Sequence, residues 1–189
     1  MAKQAQGEGA LIVGASSGMG AALARQLVRQ GYRVALVARR QDQLDALAGE
    51  LNASASGAPV AFPYAHDVAN YDQAAEIFAR ATRDVAPLRL VIYAAGTMPH
   101  TTTGASFAAE RAMVETNTTG AMRWLGLAAD EFERQRGGTI VGISSVAGDR
   151  GRPGNGAYMA SKAALSSYLD SLRFRLKPAG VRVVTVKPG

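Results

Sequence analysis

Cysteine is absent from the 189-residue chain, which removes thiol nucleophiles, thiolate metal sites and disulfide staples at once. Histidine is nearly absent too. With only His66 and His100, and no cysteine, a metal centre has little to be built from, and none is expected. Aromatic residues make up 6% and tryptophan occurs once, so the interior must close with small aliphatic side chains. Long apolar runs are missing as well. The longest uncharged stretch, Leu90 to Ala109, is interrupted by Gly, Pro, His and four Thr residues and does not read as a membrane span. The start, Met1 to Ala10, lacks the apolar core behind a basic cap that marks a secretory signal, so a cytoplasmic location is expected. The net charge is +6, but the 21 basic residues are scattered among acids with no basic, aromatic-lined patch, so no nucleic-acid partner is expected.

What remains is 48% apolar and 19% charged, the composition of a globular domain with a sizeable core. One domain over residues 1–189 is expected, with 1–8 as a polar lead. Strand-like and helix-like segments alternate throughout. Strands are read at Ala10–Val13, Arg33–Val37, Ala58–Tyr64 (weaker, with Pro59 and Pro63), Leu88–Tyr93, Thr139–Ile143 and Val181–Val186. Between them lie five helices. The first presents Leu23, Leu27 and Val28 and stops at Gly31; the second presents Leu44, Leu47 and Leu51. The third spans Asn70–Val85, with Ala74, Ile77, Phe78 and Ala81 on one side; Phe107–Arg136 and Ala157–Lys177 follow. Strands that are apolar throughout, rather than alternating, imply a parallel sheet covered on both faces: a doubly wound α/β fold.

The turn after the first strand reads Gly14-Ala15-Ser16-Ser17-Gly18-Met19-Gly20. Glycines there permit a tight turn and close backbone approach to a pyrophosphate, while the following helix N-terminus offers unpaired N–H groups to the anion. Ser16 and Ser17 add hydroxyl donors. The plainer alternative, a glycine turn used only for packing, is weakened by the strand–turn–helix context. The second strand ends in Ala38-Arg39-Arg40, about twenty residues on, where NAD would usually meet an acid and a 2′-phosphate needs a cation. No acid occurs before Asp42, which favours NADP(H), with Arg39 suited both to pair with the phosphate and to stack on adenine. The alternative for Arg39 and Arg40 is a solvated helix start.

Tyr158 and Lys162 are four residues apart at the start of a helix and share a face. A phenol titrates near ~10 and alone is a poor acid–base catalyst at neutral pH. A neighbouring ammonium favours the phenolate, so such a pair can trade a proton with a carbonyl or alcohol oxygen. By spacing alone, a core-facing Tyr beside a surface Lys is the better description.

With these motifs in this order, the chain resembles the classical short-chain dehydrogenase/reductase family from about Gly9 to its last residue. The glycine signature fits Gly14, Gly18 and Gly20, and the Tyr-x-x-x-Lys pair fits Tyr158 and Lys162. The family's catalytic Ser, thirteen residues before the Tyr, matches Ser145, and its mid-helix Asn matches Asn117. Asp67, followed by Val68, matches the Asp that contacts adenine; a helix cap is its alternative role. Ala94, Ala95 and Gly96 stand where the family's Asn-Asn-Ala-Gly lies, and Pro188-Gly189 resembles the turn lying against the nicotinamide. The resemblance implies an NADP(H)-dependent oxidoreductase acting on a small carbonyl or alcohol substrate. Tyr158 would be the general acid/base, Ser145 would bind the substrate oxygen, Lys162 would hold the nicotinamide ribose, and Asn117 would hold a water in a proton relay. It also implies a homodimer or homotetramer formed through the two long helices.

Two signature positions differ: Val13 replaces a Thr, and Tyr93-Ala94 replaces Asn-Asn. Packing of Val13 near Tyr93 is expected to substitute for the lost polar contact, with consequences for stability more than for chemistry. Family members also commonly continue beyond this point with a substrate lid, a helix and another strand, so the chain is expected to be C-terminally short. The competing expectation is therefore a nucleotide-binding or scaffolding protein, or an inactive fragment, that keeps the fold without turnover. The pocket edges lie at Thr97-Met98-Pro99-His100 and at Gly148-Asp149-Arg150-Gly151-Arg152; Arg150 and Arg152 are expected to be solvated loop charges, with contact to an acidic or carrier-bound substrate as the alternative.

Overall fold

The structure, a computed structural model, describes residues 7–55, 57–98, 106–151 and 153–189. The readings made for Met1–Gln6, Pro99, His100 and Arg152 fall outside the described residues. Two compact units divide the chain, residues 1–94 and 95–189.

The first unit runs β1 (Gly9–Val13), α1 (Gly18–Arg29), β2 (Arg33–Ala38), α2 (Gln41–Ala53), β3 (Ala61–Ala65), α3 (Ala74–Asp84) and β4 (Leu88–Tyr93). Its four strands are parallel in the order β3-β2-β1-β4. The central β1 is fully buried from Ala10 to Val13, which is why it carries no polar alternation. Val13 and Tyr93 are register neighbours on β1 and β4, both fully buried, so an apolar contact does stand where the family's polar pair is missing. Helix α1 does not pack through Leu23 and Val28, which are half-buried; Gly20, Ala21, Ala24 and Leu27 form its inner face. Small residues let the helix lie close to the strand, and a Cβ on Gly20 would come within 2.1 Å of the Gly14 carbonyl oxygen.

Two boundaries in this unit differ from the sequence reading by three residues or more. Strand β3 begins at Ala61 rather than Ala58, because the Asn52 side chain takes up the Val60 and Ala61 N–H groups and the Ala61 carbonyl just ahead of the ladder. Pro63 is tolerated inside β3, which pairs with β2 alone. Helix α3 begins at Ala74, not Asn70, and buries Ala74, Phe78 and Ala81 as the spacing predicts, with Ile77 only partly buried.

The second unit contains α4 (Phe107–Val114), α5 (Gly120–Gln135), β5 (Gly138–Ile143), α6 (Gly156–Leu176) and β6 (Val181–Val186), with β5 and β6 parallel. The expected single helix Phe107–Arg136 is interrupted by a π-helical turn at Glu115–Thr119, which separates α4 from α5. Short 3₁₀ turns occupy Val146–Gly148, after β5, and Lys177–Ala179, before β6. Trp124, Leu125, Ala128, Ala129 and Phe132 are the fully buried face of α5. Among the described residues, no helix is long and apolar enough to cross a membrane.

Candidate active site

In the first unit the glycine turn and the end of β2 come together. Gly14 and Gly18 have φ of +94° and +55°, values that side chains other than glycine's rarely adopt. Above this turn the Arg40 guanidinium donates to the Ser16 hydroxyl at 2.9 Å and to the Ser17 hydroxyl at 2.7 Å. Arg39 points elsewhere, with its guanidinium 3.8 Å from the Asp67 carboxylate, both groups exposed. Asp67 is not a cap of α3, whose N-cap is Gln73; its carboxylate instead accepts from the Ala69 N–H at 3.0 Å and closes a local turn. Val68 beside it is buried, Met19 is half exposed, and the Ala94 N–H donates to the Val13 carbonyl at 2.8 Å.

In the second unit a polar cluster surrounds the first turns of α6. The π-helical turn carries Asn117, fully buried, and the wider turn aims its amide at Thr97. Its Oδ1 accepts from the Thr97 N–H at 2.8 Å, and its Nδ2 donates to the Thr97 carbonyl at 3.0 Å and the Ser161 hydroxyl at 3.1 Å. Ser161 in turn donates to the Tyr158 carbonyl at 2.7 Å, so Asn117 is fixed against the turn that bears the tyrosine. Sequence reasoning missed Ser161. The available signal was a serine three residues after Tyr158 on the same helix, spaced for such a back-bond.

Lys162 is buried, and its ammonium donates to the Ile143 carbonyl at 2.9 Å while standing 5.8 Å from the centroid of the Tyr158 ring. This rules out the plainer picture of a surface lysine. A Cβ on Gly96 would lie 3.3 Å from Lys162 Nζ and 3.4 Å from Asn117 Oδ1, so a glycine there leaves open the space next to both groups. Ser144, also buried, ties the end of β5 to α6 by donating to the Lys162 carbonyl and meeting the Ser166 hydroxyl at 2.7 Å. The approach is close at Gly148 too, where a Cβ would sit 2.7 Å from the Lys162 carbonyl carbon.

Ser145 is the N-cap of the 3₁₀ turn, accepting from the Ala147 N–H at 3.1 Å, and the Pro188 carbonyl accepts from the Val146 N–H at 3.2 Å. Asn155 caps α6 by accepting from the Tyr158 N–H at 3.0 Å. Ser145, Asn155, Tyr158 and Gly189 line a cleft of about 310 Å³ together with Met98, Val146, Ala147, Pro153 and Met159. Ser145 and Tyr158 therefore share one cavity, and Asn117 and Lys162 lie behind it with Gly96. Lys187 is paired with Asp149 at 2.5 Å.

Burial pushes the Lys162 ammonium down from 10.5 to about 8. Between those two values the unfolded chain keeps a proton that the folded protein has released. The contribution of Lys162 to folding stability therefore rises with pH through that window, by roughly 3 kcal/mol at most. Urea denaturation of the coenzyme-free protein at the two ends of this range should show wild type gaining on a Lys162→Met variant. Parallel pH dependences for the two proteins would contradict a buried, titrating amine.

The family profile described as short chain dehydrogenase matches residues 8–189. An uncharacterized oxidoreductase from Myxococcus xanthus is 41% identical over 182 residues, which cover 95% of this chain and 70% of that protein. A short-chain type dehydrogenase/reductase from Mycobacterium ulcerans superimposes with a TM-score of 0.90 at 31% identity, over 97% of this chain and 68% of its own. A variant of actinorhodin polyketide ketoreductase, solved with NADPH, gives a TM-score of 0.88 at 29% identity over 100% and 72%. These matches run through every strand and through both groups of residues described above. The chain accordingly belongs to the short-chain dehydrogenase family of oxidoreductases, with the Rossmann-like, doubly wound α/β fold of six parallel strands and flanking helices.

Proposed function

We propose that the protein is an NADP(H)-dependent oxidoreductase that interconverts a carbonyl and a secondary alcohol, with Tyr158 as the general acid/base. One observation carries this reading. Tyr158 faces a cleft that it shares with Ser145, while the amine one helical turn along is buried and held beside the phenol ring.

The residues present fit a nicotinamide dinucleotide. The turn of Gly14, Ser16, Ser17, Gly18, Met19 and Gly20 is a cradle that side chains at the glycines would strain or fill, and it opens the first helix. Arg40 and Arg39 would take the 2′-phosphate, Asp67 and Val68 the adenine, and Ala94, Ala95, Gly96, Pro188 and Gly189 the remainder alongside Tyr158 and Lys162. Support for NADP(H) over NAD(H) comes from the Arg40 guanidinium, already on the Ser16 and Ser17 hydroxyls with several donors. A bound NADPH in the 29%-identical ketoreductase agrees with it. When bound, this coenzyme supplies or accepts the hydride.

The chain supplies the proton and its placement. In the reducing direction the Tyr158 hydroxyl gives its proton to the carbonyl oxygen, and the Ser145 hydroxyl donates a hydrogen bond to the same oxygen. The Lys162 ammonium favours the phenolate left behind. Asn117, with its amide fixed by Thr97 and Ser161, holds a water through the second lone pair of Oδ1 and so passes a proton from Lys162 toward solvent. Oxidation runs the same contacts in reverse. The expected location is the cytoplasm, and Phe107, Met122 and Phe174, all exposed, offer apolar contact for a homodimer or homotetramer.

A panel of ketones tested for NADPH consumption checks the reading. Turnover with at least one ketone, and about tenfold less with NADH, is expected. Tight NADPH binding with no turnover on any ketone would favour a nucleotide-binding protein without catalysis.

A further inference from the structure

We infer that the substrate is an uncharged, mainly apolar ketone, or the matching secondary alcohol, and not a carboxylate or phosphate; this rests on the oxidoreductase reading above. The wall of the 310 Å³ cleft is made by Met98, Val146, Ala147, Pro153 and Met159, and none of its described lining side chains carries a charge. Its size is at the small end of the roughly 300–1,000 Å³ usual for small-molecule sites. Met98 and Val146 are 50% and 43% exposed, apolar surface that a ligand of the same character would cover.

Among the described residues, the charged side chains near the cleft are engaged or lie off it. Lys187 and Asp149 neutralise one another, and the Lys162 amine is buried behind Tyr158 on the Ile143 carbonyl. Arg150 is exposed and does not line the cleft. A carboxylate entering here would lose water without gaining a counter-ion, the costliest kind of burial. Among the polar groups of the lining, the Ser145 and Tyr158 hydroxyls are suited to a single carbonyl oxygen, and the Asn155 Oδ1 accepts from the Tyr158 N–H at the cap of α6. In the reaction the carbonyl carbon gains hydride from NADPH and the oxygen gains the Tyr158 proton, giving the alcohol and NADP⁺. No further co-reactant is needed.

Acetophenone and 4-acetylbenzoate form a matched pair that differs by one carboxylate. With NADPH, acetophenone is expected to have a kcat/KM at least about tenfold higher, a modest discrimination for a pocket of this kind. A Met98→Lys variant, which puts an ammonium at the half-exposed edge of the cleft, should narrow the gap several-fold by improving 4-acetylbenzoate. Saturation-transfer NMR of the coenzyme-free protein with both compounds gives a reading independent of turnover, and acetophenone should receive the stronger transfer. Equal rates, or a preference for the carboxylate, would overturn the substrate class while leaving the redox assignment intact. Preferential acetophenone binding with no turnover of either compound would overturn the redox assignment and uphold the character of the cleft. No turnover and no binding preference would overturn both.

Discussion

Phenylalanine in place of Tyr158 is expected to lower kcat by roughly 10²–10⁴-fold, the usual contribution of a positioned acid–base group, while leaving NADPH affinity within about threefold of wild type. The hydroxyl makes no hydrogen bond to protein among the described residues, so its loss leaves no buried partner stranded. The tyrosine's structural duties are carried by its backbone: its N–H goes to the Asn155 cap and its carbonyl to Ser161. Both survive the substitution. Calorimetric titration with NADPH, together with steady-state rates on any ketone found active, separates binding from chemistry. Normal rates in this variant would remove Tyr158 from the mechanism and leave the cleft without a proton donor of this kind.

Charge reversal at Arg40 should have the second large effect. An Arg40→Asp variant is expected to weaken NADPH binding by on the order of 10²-fold, since it removes charge-assisted hydrogen bonds and places an anion beside the phosphate. NADH binding should change little. Folding is expected to survive, because Arg40 is the N-cap of α2 without a side-chain capping bond, a position at which Asp is among the preferred residues. Arg39→Asp is the companion measurement, with a smaller expected loss, because that side chain is exposed and faces Asp67. Titration of each variant with both coenzymes decides the matter. An equal loss for NADPH and NADH at Arg40 would show that it serves the shared part of the dinucleotide and carries no preference.

Much of this could be read before any coordinates. Strands β4 and β6 begin and end where the sequence placed them, since β-branched runs bounded by Pro87 and Gly180 leave little freedom. The glycine turn was visible from its strand–turn–helix setting, whereas Ser145 and the roles of Tyr158 and Lys162 came only with the family resemblance, because spacing alone does not tell a catalytic pair from a packed one. The interruption at Asn117 was legible only as a polar residue out of place in a helix. Apolar periodicity reports which face is buried and says nothing of hydrogen-bond register, so the π-helical turn that aims the amide at Thr97 left no trace. Arg39 was the residue singled out in the sequence for the phosphate, although composition alone does not separate it from Arg40. Which of them turns to Ser16 is decided by the bend from β2 into α2, where adjacent side chains diverge. Ser144, Ser161 and Ser166 stayed hidden because hydroxyls are common on helices, and only their mutual distances reveal that they brace Lys162 and Asn117.

The contact at Gly148 bears on how such a protein can diversify. With no room for a side chain against the backbone of Lys162 and Ala163, the loop carrying Ser145 and the helix carrying Tyr158 are locked in step. Met98 and Pro153 reach the cavity from outside that locked seam, on connecting segments whose side chains can be exchanged at little cost. Descendants with altered appetite for ketones can therefore arise by repainting the walls, whereas even an alanine at Gly148 would disturb proton transfer and substrate choice together.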